Sequence, residues 1–472
     1  MNIYILLAII PVVLAVALII ALIRRNITEN RGGGLDIAPA IPAIVVLMIA
    51  ILVIVPMAES TQDYLFDEDT GELVIQKNIP QLAVQPWDEY ADEVTSLVIK
   101  DGVEIGSGVF DSLTSLDYVK VGEDVTLGSN AFGVNLLDPF GSAVQDPVGK
   151  EFVGKGDGNV YLCDPAIYTY SSGGNIITGL ASGATGAEHL VLPAEHNGVA
   201  ITTVSTGSQG AFVSNANIED VFSVPDCKIT LFNTQTFFQC TALAYVDVPS
   251  VETVSASSFQ GDTSLKYVNF PALHTLGASS FRGSGIETVS FPELTSMNHS
   301  VFSECTSLTS ASIPRITSLL STVFDGCSAL TSIDLSKMTE IGGSCFRNTA
   351  LTAIDLSSIH EVGNSAFASV STVTSVKIGS GLTTIQSGSF TSWTFYESDG
   401  TTQITKTAEN LAGKNFQGTA AALVEVAPGQ LNLTPQQLQQ VQLHTQESQD
   451  LDIQPLPFQP TVQTQDQEPT TA

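Results

Sequence analysis

The apolar positions of this chain fall into a repeating frame. From Phe212 onward a phenylalanine recurs at Phe237, Phe259, Phe281, Phe302, Phe324, Phe346, Phe367 and Phe390, at intervals of 21 to 25 residues. After most anchors an aliphatic residue stands at the sixth position and others at the ninth and eleventh: Leu243, Val246 and Val248 after Phe237, and Leu330, Ile333 and Leu335 after Phe324. The units that begin at Phe281 and Phe346 are one residue shorter before Ile286 and Leu351, so the frame is kept. The alternation that closes each unit predicts a short strand with one buried face. A second aliphatic pair (Leu273 with Leu276, Ile316 with Leu319, Met338 with Ile341, Ile359 with Val362) precedes a small-residue turn and the next anchor. One coil of this length cannot bury its own apolar edge, so coils must stack on one another. The period predicts a mainly β leucine-rich-repeat solenoid over 164–428, with a parallel sheet on one side, turns on the other and a phenylalanine spine inside.

A shorter version of the frame comes first, over 94–163. Val94, Leu97 and Ile99 open it, and Phe110, Leu116, Val119, Val121 and Phe132 continue it. It runs into Gly149-Lys150-Glu151-Phe152-Val153-Gly154, and the long array runs into Gly413-Lys414-Asn415-Phe416-Gln417-Gly418. Each array is therefore expected to end in the same capping module, which a solenoid needs to stop end-to-end growth. GKxFxG lacks the glycine-rich lead of a phosphate-binding loop, so these residues read as hairpin positions.

The phrases FxxCTSLTSxxIP, IGxSxF and GSGLTTIQSGSF, and the lead-in from Thr169 to Val204, resemble the BspA-type leucine-rich repeats of microbial surface proteins. The resemblance covers roughly Val94 to Phe390. It implies a surface-displayed, adhesin-like binding protein, and it brings no catalytic residue and no cofactor with it.

Two apolar runs, at 3–23 and 37–57, are each long enough to span a hydrocarbon core of about 30 Å. The loop between them carries Arg24, Arg25 and Arg31, which would hold it in the cytoplasm and leave everything after Met57 outside. The expectation over 1–57 is thus a two-helix transmembrane hairpin. The rival is a signal sequence cleaved near Ala58-Glu59-Ser60, and it also exports the repeats. Residues 58–93 read as an acidic stalk or N-terminal cap. Asp67, Asp69 and Gly71 hint there at a calcium loop, but the remaining ligand pattern is missing, which favours a solvated turn. The Gln-, Pro- and Thr-rich stretch 429–472 reads as a disordered tail.

The net charge of −31 removes nucleic acid as an expected partner, because phosphate recognition needs a basic stripe. Among the six cysteines, Cys240, Cys305 and Cys327 share one slot of the repeat. A buried thiol ladder is the expectation, with a Cys305–Cys327 disulfide as the alternative. No CxxC spacing supports zinc, and no metal site is expected. Glu188-His189 and Glu195-His196 fit neither a metal helix motif nor a catalytic triad, so the histidines read as surface residues and no enzyme is expected. Asn298 and Asn432 head N-glycosylation sequons.

What remains is a surface. The polar positions of each predicted strand should line the open sheet face, with Tyr245, Asp247, Lys266, Tyr267 and Asn269 on early coils and Asp334 and Asp355 on later ones. Tyrosines beside hydrogen-bonding groups suit a protein or glycan surface, whereas a plain solvated Ser/Thr face needs no ligand. The expected function is a membrane-anchored, external recognition module. The alternative is a self-associating component of a surface layer, envelope or virion.

Overall fold

The computed structural model describes residues 62–207 and 210–427. Both apolar runs at 3–23 and 37–57, Asn432 and the stretch 429–472 lie outside the described residues. Among the described residues no helix is long and apolar enough to cross a membrane. The chain divides into two units, Met1–Phe270 and Pro271–Ala472.

The first unit opens with an antiparallel hairpin, Tyr64–Asp67 against Glu72–Ile75. Its turn is closed by Gly71, whose N–H donates to the Asp67 carbonyl at 2.8 Å, and Asp67 Oδ1 accepts from Asp69 N–H at 3.0 Å. Asp67 and Asp69, expected on a solvated turn, lie exposed on the turn of this hairpin. Glu72–Ile75 is followed in parallel register by Ser96–Ile99 and Tyr118–Val121, with Leu73, Leu97 and Val119 in one buried row. Beyond them, His189–Leu192, Asp220–Ser223, Tyr245–Asp247 and Tyr267–Asn269 form a second parallel sheet.

Where turns alone were expected on the opposite side, a second column of two-residue strands runs instead. In the first unit it joins Thr203–Val204, Leu231–Phe232 and Thr253–Val254. In the second unit it joins Ser318–Leu319, Glu340–Ile341, Glu361–Val362 and Thr384–Ile385. The aliphatic pair of each repeat is the cause: Leu319, Ile341 and Val362 are all buried in this column.

The spine is built as the spacing predicts. In the second unit the rings of Phe281, Phe302, Phe324, Phe346, Phe367 and Phe390 stack at centroid separations of 5.4 to 5.7 Å. In the first, Phe212, Phe237 and Phe259 stack at 5.1 and 5.3 Å, and Trp87 heads the earlier file Trp87–Phe110–Phe132. The backbone around each ring is unusual. From Phe237 to Phe367, residues two before and two after the phenylalanine take left-handed dihedrals, as at Thr322 (φ 62°) and Gly326 (φ 80°), or Ser365 (φ 56°) and Ser369 (φ 63°). This arrangement points three alternate N–H groups at the next coil. Those of Thr322, Phe324 and Gly326 donate to the carbonyls of Gly343, Cys345 and Arg347 at 2.8 to 2.9 Å. The ladder offsets left-handed strain of about 1–2 kcal/mol at each non-glycine position.

The two GKxFxG segments occupy equivalent places. Glu151–Gly154 lies antiparallel on Tyr118–Val121, is followed antiparallel by Asn159–Leu162, and that strand runs parallel to Asn135–Leu137. Asn415–Thr419 lies antiparallel on Ser375–Ile378, is followed antiparallel by Ala422–Val426, and that strand runs parallel to Phe395–Tyr396. Phe152 and Phe416 face Val119 and Val376 in the same register, and both rings are fully buried.

Candidate recognition surface

In the first unit, parallel register sets Tyr245 opposite Tyr267, and Asp247 opposite Asn269. Parallel strands place such partners about 4.8 Å apart. The two tyrosine rings accordingly stack, with centroids 4.6 Å apart and planes 13° from parallel. Asn269 Nδ2 donates to Asp247 Oδ1 at 2.8 Å. Tyr267 is 41% exposed, whereas Tyr245, Asp247 and Asn269 are half-buried. Lys266 precedes the strand, and its N–H donates to the Ala244 carbonyl at 2.9 Å.

The half-burial has a source that the repeat frame does not contain. The end of the first block lies against the early coils of the second sheet. Lys155 Nζ stands 5.5 Å over the Tyr245 ring and pairs with Asp220 Oδ1 at 3.3 Å. Asp220 Oδ2 in turn meets His189 Nδ1 at 2.9 Å. The His189 ring stacks on Tyr161 at 3.8 Å, and Phe222 extends the aromatic contact to Tyr245 at 5.6 Å. His189 is consequently 8% exposed, not the surface histidine expected. His196 is half-buried on Tyr170, while His274 and His360 are exposed. Every residue of His189–Leu192 and Asp220–Ser223 is buried, so the sheet face opens to solvent only from Tyr245 onward.

Two carboxyls mark the edge of this covered region. Burial, reinforced by Asp247, pushes Asp117 up to about 6. Burial also raises Asp247, against the lowering effect of the Asn269 amide. Burial and then Asp247 raise both tyrosine hydroxyls, which therefore stay protonated donors at neutral pH.

Asp334 and Asp355 belong to the second unit. The segment 331–335 carries no strand, and Asp334 is exposed on a turn where its Oδ1 accepts from Ser336 N–H at 2.8 Å. Asp355 lies in Ala353–Leu356, opposite Lys377, and the two side chains pair at 3.2 Å. Such pairing on an exposed face contributes little stability. Asn298, at the first sequon, is exposed.

The cysteines are free thiols, including Cys305 and Cys327. Cys240, Cys305 and Cys327 each donate from Sγ to the carbonyl of the phenylalanine one coil back, namely Phe212, Phe281 and Phe302, at 2.9 to 3.0 Å. Among the described residues no three His, Cys, Asp or Glu side chains are grouped closely enough to hold a metal.

Six copies of the BspA type leucine rich repeat region match this chain, over residues 200–287 and 295–418. Those residues are BspA-type leucine-rich repeats. Leucine-rich-repeat folds of this kind are binding or structural scaffolds. Solved leucine-rich-repeat proteins are also similar to parts of the chain. One from Bacteroides ovatus is 17% identical with a TM-score of 0.36, covering 46% of this chain and 64% of its own, so the chain spans less than two thirds of that protein. A T. pallidum leucine rich repeat protein is 22% identical with a TM-score of 0.36, covering 39% and 88%. A leucine rich cell surface protein from Faecalibacterium prausnitzii is 17% identical with a TM-score of 0.25, covering 48% and 84%. No curated protein matches.

Proposed function

We propose that this BspA-type array is an externally displayed, adhesin-like recognition module, anchored to a membrane through its N-terminal apolar runs, that binds a protein or glycan surface without catalysing a reaction. The observation that carries this reading is the Tyr245–Tyr267 stack beside the Asp247–Asn269 pair, at the point where the sheet face becomes open. An exposed aromatic face offers rigid apolar area to a sugar ring or an interface side chain, and the neighbouring amide, carboxyl and hydroxyls supply orientation. Of the later acidic positions, Asp355 is paired with Lys377, and Asp334 lies off the sheet and is turned to local backbone.

The competing reading is a self-associating lattice component. Light scattering on the purified chain separates the two. A monomer that captures glycans or cell-surface protein supports recognition, whereas discrete or filamentous assemblies that capture neither would replace it with the lattice reading.

A further inference from the structure

Among the slots three residues after a spine phenylalanine, three hold a cysteine, others hold Ser284, Thr349 and Val370, and one holds the carboxyl of Asp262. Cys240, Cys305 and Cys327 occupy this slot and each donates a hydrogen bond to the phenylalanine carbonyl of the preceding coil. Asp262 stands three residues after Phe259, in the same slot, and the phenylalanine one coil back is Phe237. Its side chain is fully buried. Oδ1 accepts the Cys240 N–H at 2.8 Å, and that N–H is shared with the Phe237 carbonyl at 2.9 Å. The Asp262 carboxyl group thus lies beside the Phe237 carbonyl. Oδ2 has no hydrogen-bond partner among the described residues.

A charged carboxylate here would be buried with one oxygen unsatisfied, next to a carbonyl that repels it. A neutral carboxylic acid keeps Oδ1 as the acceptor for the Cys240 N–H and turns Oδ2 into a donor. We propose that Asp262 is a protonated carboxylic acid in the folded protein, its Oδ2–H donating to the Phe237 carbonyl in place of a cysteine thiol, and that loss of this proton loosens the coil carrying Lys266, Tyr267 and Asn269. The surroundings agree. Burial drives Asp262 well above the usual carboxylate range, opposed only by the Cys240 N–H. No lysine, arginine or histidine contributes to its titration, and the one titratable group against it from the preceding coil is the Cys240 thiol, itself raised by burial and then by Asp262.

The sign follows from linkage. A carboxyl raised in the folded state contributes its full stability below the unfolded value near 3.9, and loses it as pH rises toward the folded value. Asp262→Asn keeps one acceptor and supplies a permanent donor; Asp262→Cys restores the thiol of the neighbouring coils. Thermal unfolding of the full chain between pH 4 and pH 8 is the test. Both variants are expected to melt a few degrees above the parent at pH 8 and to converge on it at pH 4. Infrared difference spectra of parent minus Asp262→Asn at pH 7 should show the C=O stretch of a protonated carboxylic acid. A carboxylate band in its place overturns the proposal. So does an Asp262→Asn variant that melts below the parent at every pH with an unchanged slope. The spectrum reads the proton directly, so the outcome does not depend on the recognition function proposed above.

Discussion

Phe324 sits at the middle of the second unit's spine, and its removal measures what holds the coils together. Its ring is fully buried and stacks between Phe302 at 5.5 Å and Phe346 at 5.6 Å, with planes 12° and 4° from parallel. Phe324→Ala leaves a cavity that neighbouring coils cannot close, because three backbone hydrogen bonds on either side of the ring fix their spacing. Buried Phe→Ala changes cost about 3–5 kcal/mol, and each lost aromatic pair contributes about 0.5–1.5 kcal/mol of such a loss. We expect about 4 kcal/mol here, a large part of the roughly 5–15 kcal/mol that holds a domain together. Since coils couple chiefly to their neighbours, the damage should be local. Urea unfolding gives the magnitude, and hydrogen exchange should show the N–H groups of Gly326 and Asn348 losing protection before those of the first unit. Leu320→Ala, at a 46% exposed position, is the control and should cost well under 1 kcal/mol. Equal losses in the two variants, or a Phe324→Ala cost below about 1 kcal/mol, would refute the view that the phenylalanine spine is the cohesive element.

Three further outcomes are expected. Iodoacetamide at pH 8 should leave the folded chain almost unlabelled at Cys305, pushed up by burial to about 11, and Cys345, pushed up to about 12, with full labelling in urea as read by mass spectrometry. Asp117 is raised to about 6 from an unfolded value near 3.9, so its contribution is complete below about pH 4 and is lost as pH rises through 6. Asp117→Asn should therefore stabilise by about 1–2 kcal/mol at pH 7.5, an amount reduced for solvent screening at this partly exposed group, and should be neutral at pH 4. Ser369, exposed with φ 63°, should gain about 0.5–1 kcal/mol on replacement by glycine and lose more than that on replacement by valine, checked by thermal melting.

The spine and the long array were legible because phenylalanine and its aliphatic companions recur in a fixed frame, so one coil explains the next. Trp87 was missed although it stands 23 residues before Phe110, within the spacing of the frame; its residue type hid it. The second strand column was read as turns because two-residue strands leave no alternation to detect. On the candidate surface, the Tyr245–Tyr267 pair was legible from its shared repeat phase. Its partial cover was not, since that depends on Lys155 and Tyr161 meeting Asp220 and His189 across an intervening stretch with no common period. The left-handed positions at Thr322, Ser344 and Ser365 were also hidden, because residue type does not favour them and only the coil-to-coil ladder holds them there. Asp262 gave no signal, because its slot holds Cys, Ser, Thr or Val in other coils and its burial against Cys240 depends on the coil before.

The most direct test of the recognition claim is binding to glycan and cell-surface arrays by the parent chain and by Tyr267→Ala, each first verified as folded. Tyr267 is 41% exposed and its ring stacks on the half-buried Tyr245, so the variant should fold normally. Hot-spot aromatics carry about 2 kcal/mol or more, so a loss of roughly thirtyfold in affinity is predicted. Binding unchanged by Tyr267→Ala would contradict the account.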